Sequence, residues 1–201
     1  MARFITNQDQ LLKGLLETYI PGSSRLDFLV GFFYFSGFTR IYNAIGDRNL
    51  RVLVGMEADV TIHNAVRETA TLDSGKTGGQ SKLKTRQGYY ETLKNLISRA
   101  DSLDTRENEK AFRFFIGKLK NGTLEVRKTK DPNHAKMYIF TADDAHSFNG
   151  QEPGRVIVGS SNLSFQGLEG RTEVNVLLGG TFVSDYTEAE GIFNKLWNEA
   201  V

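Results

Sequence analysis

The stretch Phe28-Leu29-Val30-Gly31-Phe32-Phe33-Tyr34-Phe35 is the richest apolar run of the chain, and its reading decides the fold. It falls far short of the ~18 residues that a membrane span needs. Taken from Leu26 to Tyr34, a continuous apolar run too short for a helix reads as a strand buried on both faces. Ser36 then caps a helix to about Ile45, and Gly46-Asp47 closes it. Leu50 to Met56 forms a second apolar strand. Two such strands bracketing a helix make a βαβ unit, hence a parallel pair joined by a right-handed crossover.

Working outward, Asn7 followed by Gln10 looks like a capping box that opens a helix running to about Ile20, with Pro21-Gly22 as its stop. Thr61 to Leu72 reads as helical, and 73–82 as a loop rich in Gly, Ser and Lys. Helical stripes follow at Tyr89, Leu93, Leu96, Ile97 and Ala100, and at Phe112, Phe115, Ile116 and Leu119, the second stopped by Asn121-Gly122. Thr123–Thr129, Ala135–Phe140, Arg155–Gly159 and Glu173–Leu178 read as strands. Ser184 or Asp185 caps a last helix that buries Ile192, Phe193, Leu196 and Trp197. Interleaved helices and strands imply an α/β fold with a mixed, largely central β-sheet and helices on both faces. With 201 residues, no internal repeat and no linker, residues 1–201 are expected to form a single domain. A core of that size needs no metal or disulfide staple.

Composition narrows the chemistry. There is no cysteine, which excludes disulfides, iron–sulfur clusters and thiol catalysis. Three histidines (His63, His134 and His146) are too few for a multi-histidine metal site, and Asp143-Asp144 reads as a solvated loop pair, so no metal or cofactor is expected. Gly75-Lys76-Thr77 imitates the end of a phosphate-binding loop, but Ala70 stands where the motif needs its first glycine. The opening Met1-Ala2-Arg3-Phe4 runs straight into polar Thr6-Asn7-Gln8-Asp9, which reads as cytoplasmic with no membrane partner. The net charge of +1 is unevenly spread: Lys110 to Lys136 carries eight basic and two acidic residues, and Asp73 to Arg99 six and two. Such polarity can present a positive groove to a polyanion, and Lys82, Lys84, Arg86, Arg127, Lys128 and Lys130 are its candidate nucleic-acid contacts.

One constellation carries chemistry: His134-Ala135-Lys136, then Gly159-Ser160-Ser161-Asn162, then Glu173. On a strand His134 and Lys136 share a face. An imidazole titrates near neutrality and can attack phosphorus or protonate a leaving oxygen. An ammonium neutralises the nonbridging oxygens of a displacement at phosphorus. Ser160 and Asn162 offer a hydroxyl and an amide to the same oxygens, and Glu173 a carboxylate to the imidazole's other nitrogen.

His134-x-Lys136 followed by Gly159-Ser160-x-Asn162 resembles the His-x-Lys signature of the phospholipase D superfamily, and the spacing to Glu173 resembles its bacterial nuclease branch. The resemblance implies a metal-independent phosphodiesterase acting on DNA or RNA through a phosphohistidine intermediate. His134 would be the nucleophile in one copy of the motif and the general acid in a second. Lys136, Asn162 and Ser160 would hold the phosphoryl oxygens, and Glu173 would orient His134. The opening Phe4-Ile5-Thr6-Asn7, with Phe28 to Gly37, is similar to phospholipase D-like domains at the N-termini of bacterial SNF2-type helicases, so the chain reads as a module of a longer helicase-type protein. Two departures stand out. The family's aspartate five positions after the lysine is Thr141 here, and the segment from Lys136 to Gly159 is long. Only one His-x-Lys is present, while the chemistry needs two histidines; a homodimer sharing one site follows. The alternative is a nucleic-acid-binding module of a helicase with weakened chemistry. A lipid substrate is disfavoured by the lack of a signal segment and of an exposed amphipathic helix.

Overall fold

The apolar run becomes the 11-residue strand β2 (Ser23–Phe33) of a seven-stranded sheet. The computed structural model describes residues 3–59, 61–67, 105–143, 148, 153–178 and 183–201. In chain order the elements are β1 (Arg3–Ile5), α1 (Leu12–Tyr19), β2, α2 (Phe35–Ile45), β3 (Asn49–Ala58), α3 (Arg106–Lys120), β4 (Leu124–Lys128), β5 (Met137–Ala142), β6 (Gly154–Gly159), β7 (Asn175–Leu178) and α4 (Val183–Glu199), with a further helical stretch at 61–67. The sheet order is β1-β7-β6-β5-β2-β3-β4. Strands β2, β3 and β4 pair in parallel and the remaining pairs are antiparallel, so the sheet is mixed.

Both faces are covered, unequally. Leu26, Phe28 and Val30 of β2 face one core, which takes its other half from α1, α2 and α3 through residues such as Leu16, Phe38, Phe112 and Phe115. Leu29 faces the second core, which α4 covers with Tyr186, Ala189, Phe193 and Trp197. The β2–β3 register slips between Val30 and Phe32. Across the slip the residues facing the larger core change from even to odd, from Phe28 and Val30 to Phe33 and Phe35. Phe32 and Tyr34 therefore leave the core: Phe32 is half-buried and Tyr34 is exposed. Irregularities of this kind re-aim side chains at sheet ends and beside functional sites.

Several local expectations change. Helix α1 begins at Leu12, five residues after Asn7. Asn7 adopts a left-handed conformation (φ 61°), and its Oδ1 accepts from the Leu12 N–H at 2.7 Å, so it caps from a preceding loop rather than through a capping box. Strand β1 went unforeseen because it is three residues long with only Ile5 buried. Ser36 does not cap α2. The Asp59 carboxylate accepts from the Phe35 N–H at 2.5 Å and from the Ile62 N–H at 2.9 Å, serving α2 and the 61–67 stretch together. Helix α4 starts at Val183, which puts Ser184 and Asp185 inside its first turn, and Ile192 is 48% exposed rather than buried. The expected stripe at 89–100, the Gly75-Lys76-Thr77 loop, and Lys82, Lys84 and Arg86 lie outside the described residues. Among the described residues no helix is long and apolar enough to cross a membrane.

Candidate active site

The site forms at the C-terminal end of β2, a usual place for ligands in open α/β sheets. Gly31 is its floor. A Cβ there would lie 3.1 Å from His134 Cδ2, 3.3 Å from Asn162 Oδ1 and 3.5 Å from Lys136 Nζ. Three side chains from two distant segments thus converge on one backbone position, where a Cβ would press on His134 and Asn162.

His134 and Lys136 precede β5 rather than lying on it, since the strand begins at Met137. Their placement comes from the end of β3. The Asn133 N–H donates to the Gly55 carbonyl at 3.0 Å, and a Cβ on Gly55 would sit 1.8 Å from the Asn133 oxygen, so only glycine admits the segment. Asn133 Oδ1 accepts from the Ala135 N–H at 2.8 Å and tightens the turn into the strand. The Lys136 side chain is then buried (the residue is 4% exposed), and its ammonium donates to the His134 carbonyl at 2.6 Å. Burial pushes the Lys136 pKa below the usual lysine range, and the nearby Glu173 charge only partly opposes this. The His134 ring is exposed at the mouth and meets the Phe32 ring edge to face, with centroids 6.2 Å apart.

Asn162 arrives from the other side. After β6 the chain crosses β2, where Leu163 bridges Phe33 and its carbonyl accepts from the Tyr34 N–H at 2.9 Å. Asn162 Oδ1 accepts from the Phe32 N–H at 2.8 Å. With its oxygen committed, the amide nitrogen is left to donate to a ligand. Ser160 and Glu173 form a separate pair. The Ser160 hydroxyl donates to the Glu173 carboxylate and accepts from the Val174 N–H at 3.0 Å. Glu173 stands just before β7, and among the described residues it makes no hydrogen bond to the His134 ring. The expected glutamate–histidine contact is thus replaced by a glutamate–serine one.

The candidate nucleic-acid contacts separate. Arg127 is engaged: its guanidinium lies 4.4 Å from the Trp197 ring centroid and donates to Glu125 at 3.1 Å and to the Trp197 carbonyl at 3.4 Å. Lys128 and Lys130 are exposed near the end of β4, where the Lys128 backbone pairs with Val201. Thr141 lies at the far end of β5 from His134 and shares a hydrogen bond with the Tyr186 hydroxyl at 2.8 Å. Sequence reasoning missed Gly31, the Phe32 N–H and Tyr34. The one signal for Gly31 was a glycine inside an otherwise bulky run. Among the described residues no three His, Asp or Glu side chains gather as metal ligands. A cleft of about 940 Å³ adjoins the site and is lined by Phe32, Tyr34, Arg40, Asn162, Phe165, Arg171 and Glu173, among others.

The family model described as "Cardiolipin synthase, PLD-like domain" matches residues 48–197. No curated protein matches the chain in sequence. Among solved structures, Nuc, a phospholipase D family member from Salmonella typhimurium, is 10% identical, with a TM-score of 0.52 over 100% of this chain and 96% of its own. Phosphatidylserine synthase from Haemophilus influenzae is 14% identical, with a TM-score of 0.52 over 100% of this chain and 39% of its own. Polyphosphate kinase from Porphyromonas gingivalis is 9% identical, with a TM-score of 0.50 over 99% of this chain and 26% of its own. At such identities the structures share a fold and nothing finer. The match over most of the sequence, on a fold that holds His134, Lys136 and Asn162 around Gly31, makes the chain a member of the phospholipase D-like domain family.

Proposed function

We propose that this chain is a phosphodiesterase that cuts nucleic acid through a covalent phosphohistidine on His134, with the active site shared across a homodimer. The observation that carries the reading is the convergence of His134, Lys136 and Asn162 on Gly31. An exposed imidazole stands beside a buried ammonium and an amide whose free end donates, the set that a phosphodiester needs. In the first step an imidazole nitrogen bonds to phosphorus and the phosphorus–oxygen bond to the leaving strand breaks. The departing alkoxide takes a proton from the second copy's His134. Water then attacks the phosphohistidine while the second copy's His134, now neutral, takes its proton; the phosphate end is released and both imidazoles are restored. Lys136 and Asn162 hold the nonbridging oxygens throughout, and the nucleophile needs no metal to activate it. Lys128 and Lys130 are available to the backbone of a longer substrate.

One observation favours a second reading, a nucleic-acid-binding module of a helicase with weak chemistry: Glu173 is bonded to Ser160 and not to the imidazole. Cleavage of single- and double-stranded DNA in EDTA, by wild type and His134→Ala, separates the two. Cutting by the wild type alone is expected. Tight binding by both proteins without cutting favours the module. Light scattering is expected to give twice the chain mass, and a monomer that still cuts removes the shared site.

A further inference from the structure

The register slip in β2 has chemical content beyond the phosphate site. Beside it Phe32, on the strand that carries Gly31, and Tyr34, just past that strand's end, leave the core. The two rings lie nearly parallel, 23° apart, with centroids separated by 6.2 Å, and the Phe32 ring meets His134 at the same separation. Tyr34 is 41% exposed, and both rings line the cleft that adjoins the site. The cleft wall beyond them carries Phe165 and two arginines. Arg40 lies over the Phe165 ring at 4.7 Å and pairs with Glu169 at 2.9 Å, and Arg171 is exposed. An aromatic step thus runs from open solvent to the candidate nucleophile, with cations along one side.

Among the described residues nothing requires a tyrosine at position 34. Helix α2 uses only its backbone, with no side-chain cap from Tyr34, and the neighbouring Phe33 and Phe35 supply the core. We propose that Tyr34, with Phe32 behind it, is the stacking platform for a nucleobase next to the scissile phosphate, and that the substrate is therefore single-stranded nucleic acid. The inference rests on the phosphodiesterase reading for the word substrate, but the platform's binding role stands apart from cleavage. A base in a duplex already has both faces covered by its neighbours, whereas a base in a single strand offers a free face to an aromatic ring. Stacking is tolerant of sequence because every base has such a face, so the platform selects strandedness rather than a motif.

The test uses a fluorescently labelled single-stranded oligonucleotide, the matching duplex, and the same strand with abasic sites in place of its bases. Affinity is measured on His134→Asn, which prevents turnover, with and without Tyr34→Ala, and cleavage on the same pair with His134 intact. The single strand is expected to bind more tightly than the duplex. Tyr34→Ala is expected to weaken single-strand binding by about five- to hundredfold. Tyr34→Phe should retain the affinity and Tyr34→Leu should not, while the abasic strand binds equally well with or without Tyr34→Ala. A Tyr34→Ala protein that binds the single strand like its parent, or that loses the abasic strand just as much, overturns the platform even if the wild type cuts. The expected binding pattern without any cutting leaves the platform standing and defeats the phosphodiesterase reading. Absence of binding to any of the three probes defeats both.

Discussion

Asp27 and Gly31 lie on the same strand, and each is the focus of a charged cluster, but the clusters are built on opposite plans. Asp27 is fully buried, and its carboxylate accepts from Arg25 Nε at 2.9 Å and from Arg51 Nε at 2.5 Å. The two guanidiniums continue to α4, Arg25 to Glu190 and Arg51 to Asn194, and Arg51 also lies over the Phe193 and Trp197 rings. Burial alone would weaken the proton's hold on Arg25, but Asp27 and Glu190 more than reverse it. At Gly31 the buried cation is Lys136, its hydrogen-bond partner is a neutral carbonyl, and among the described residues no carboxylate lies within ion-pair distance. There burial prevails and the pKa falls. A closed cluster ties α4 to the sheet. An open one holds a cation at a cost that an arriving phosphate can relieve.

The sharpest way to break this contrast is to neutralise each focus. Lys136→Met is expected to lower cleavage about 10²–10³-fold, as for loss of one charge-stabilising donor. The urea midpoint should hold or rise by about 1 kcal/mol equivalent, because an uncompensated buried charge is gone. Asp27→Asn is expected to act the other way. Stability should fall by about 3 kcal/mol, since two guanidiniums lose their shared carboxylate, with turnover per folded molecule unchanged. If both variants simply destabilise, the open cluster is structural after all.

Two smaller effects sharpen the picture. Gly31→Ala brings a methyl group against His134 and Asn162, each of which must yield by a few tenths of an ångström. Turnover should drop about tenfold from misplacement of the reacting groups. Stability should hardly change, because alanine otherwise favours a strand by about 0.5–1 kcal/mol over glycine. The smallest effect is in pH. Protonated Lys136 is disfavoured in the folded state, so its cost is present below its lowered pKa and is relieved as pH rises through it. Wild-type stability relative to Lys136→Met should therefore rise on the alkaline side, below the usual lysine range, while KM rises over the same interval. Parallel urea titrations and KM measurements across that range check both signs.

The βαβ unit was legible because Leu26–Tyr34 and Leu50–Met56 are continuous apolar runs around a helix, and burial on both faces leaves that trace in any sequence. Of the residues that carried the resemblance, His134, Lys136 and Asn162 meet beside Gly31, while Ser160 and Glu173 pair with each other. The rest was hidden for definite reasons. Glu173 pairs with Ser160, and spacing along a chain cannot show which of two polar groups a carboxylate will reach. Arg127 looked like an open cation because nothing near it in sequence foretells Trp197 beneath it. Tyr34 was hidden inside an apolar run, where a slip of register that turns a side chain from core to cleft leaves no mark. Asn7 misled because its side chain reaches Leu12 across a left-handed turn that mimics a cap.

The central claim is the covalent role of His134. The most direct measurement is to quench the wild type with base during turnover of an end-labelled oligonucleotide in EDTA and locate the label by peptide mass analysis. The account predicts an acid-labile, base-stable phosphoramidate on His134 that is absent from His134→Asn. Cleavage that proceeds with no such adduct, or with the label on another residue, would contradict it.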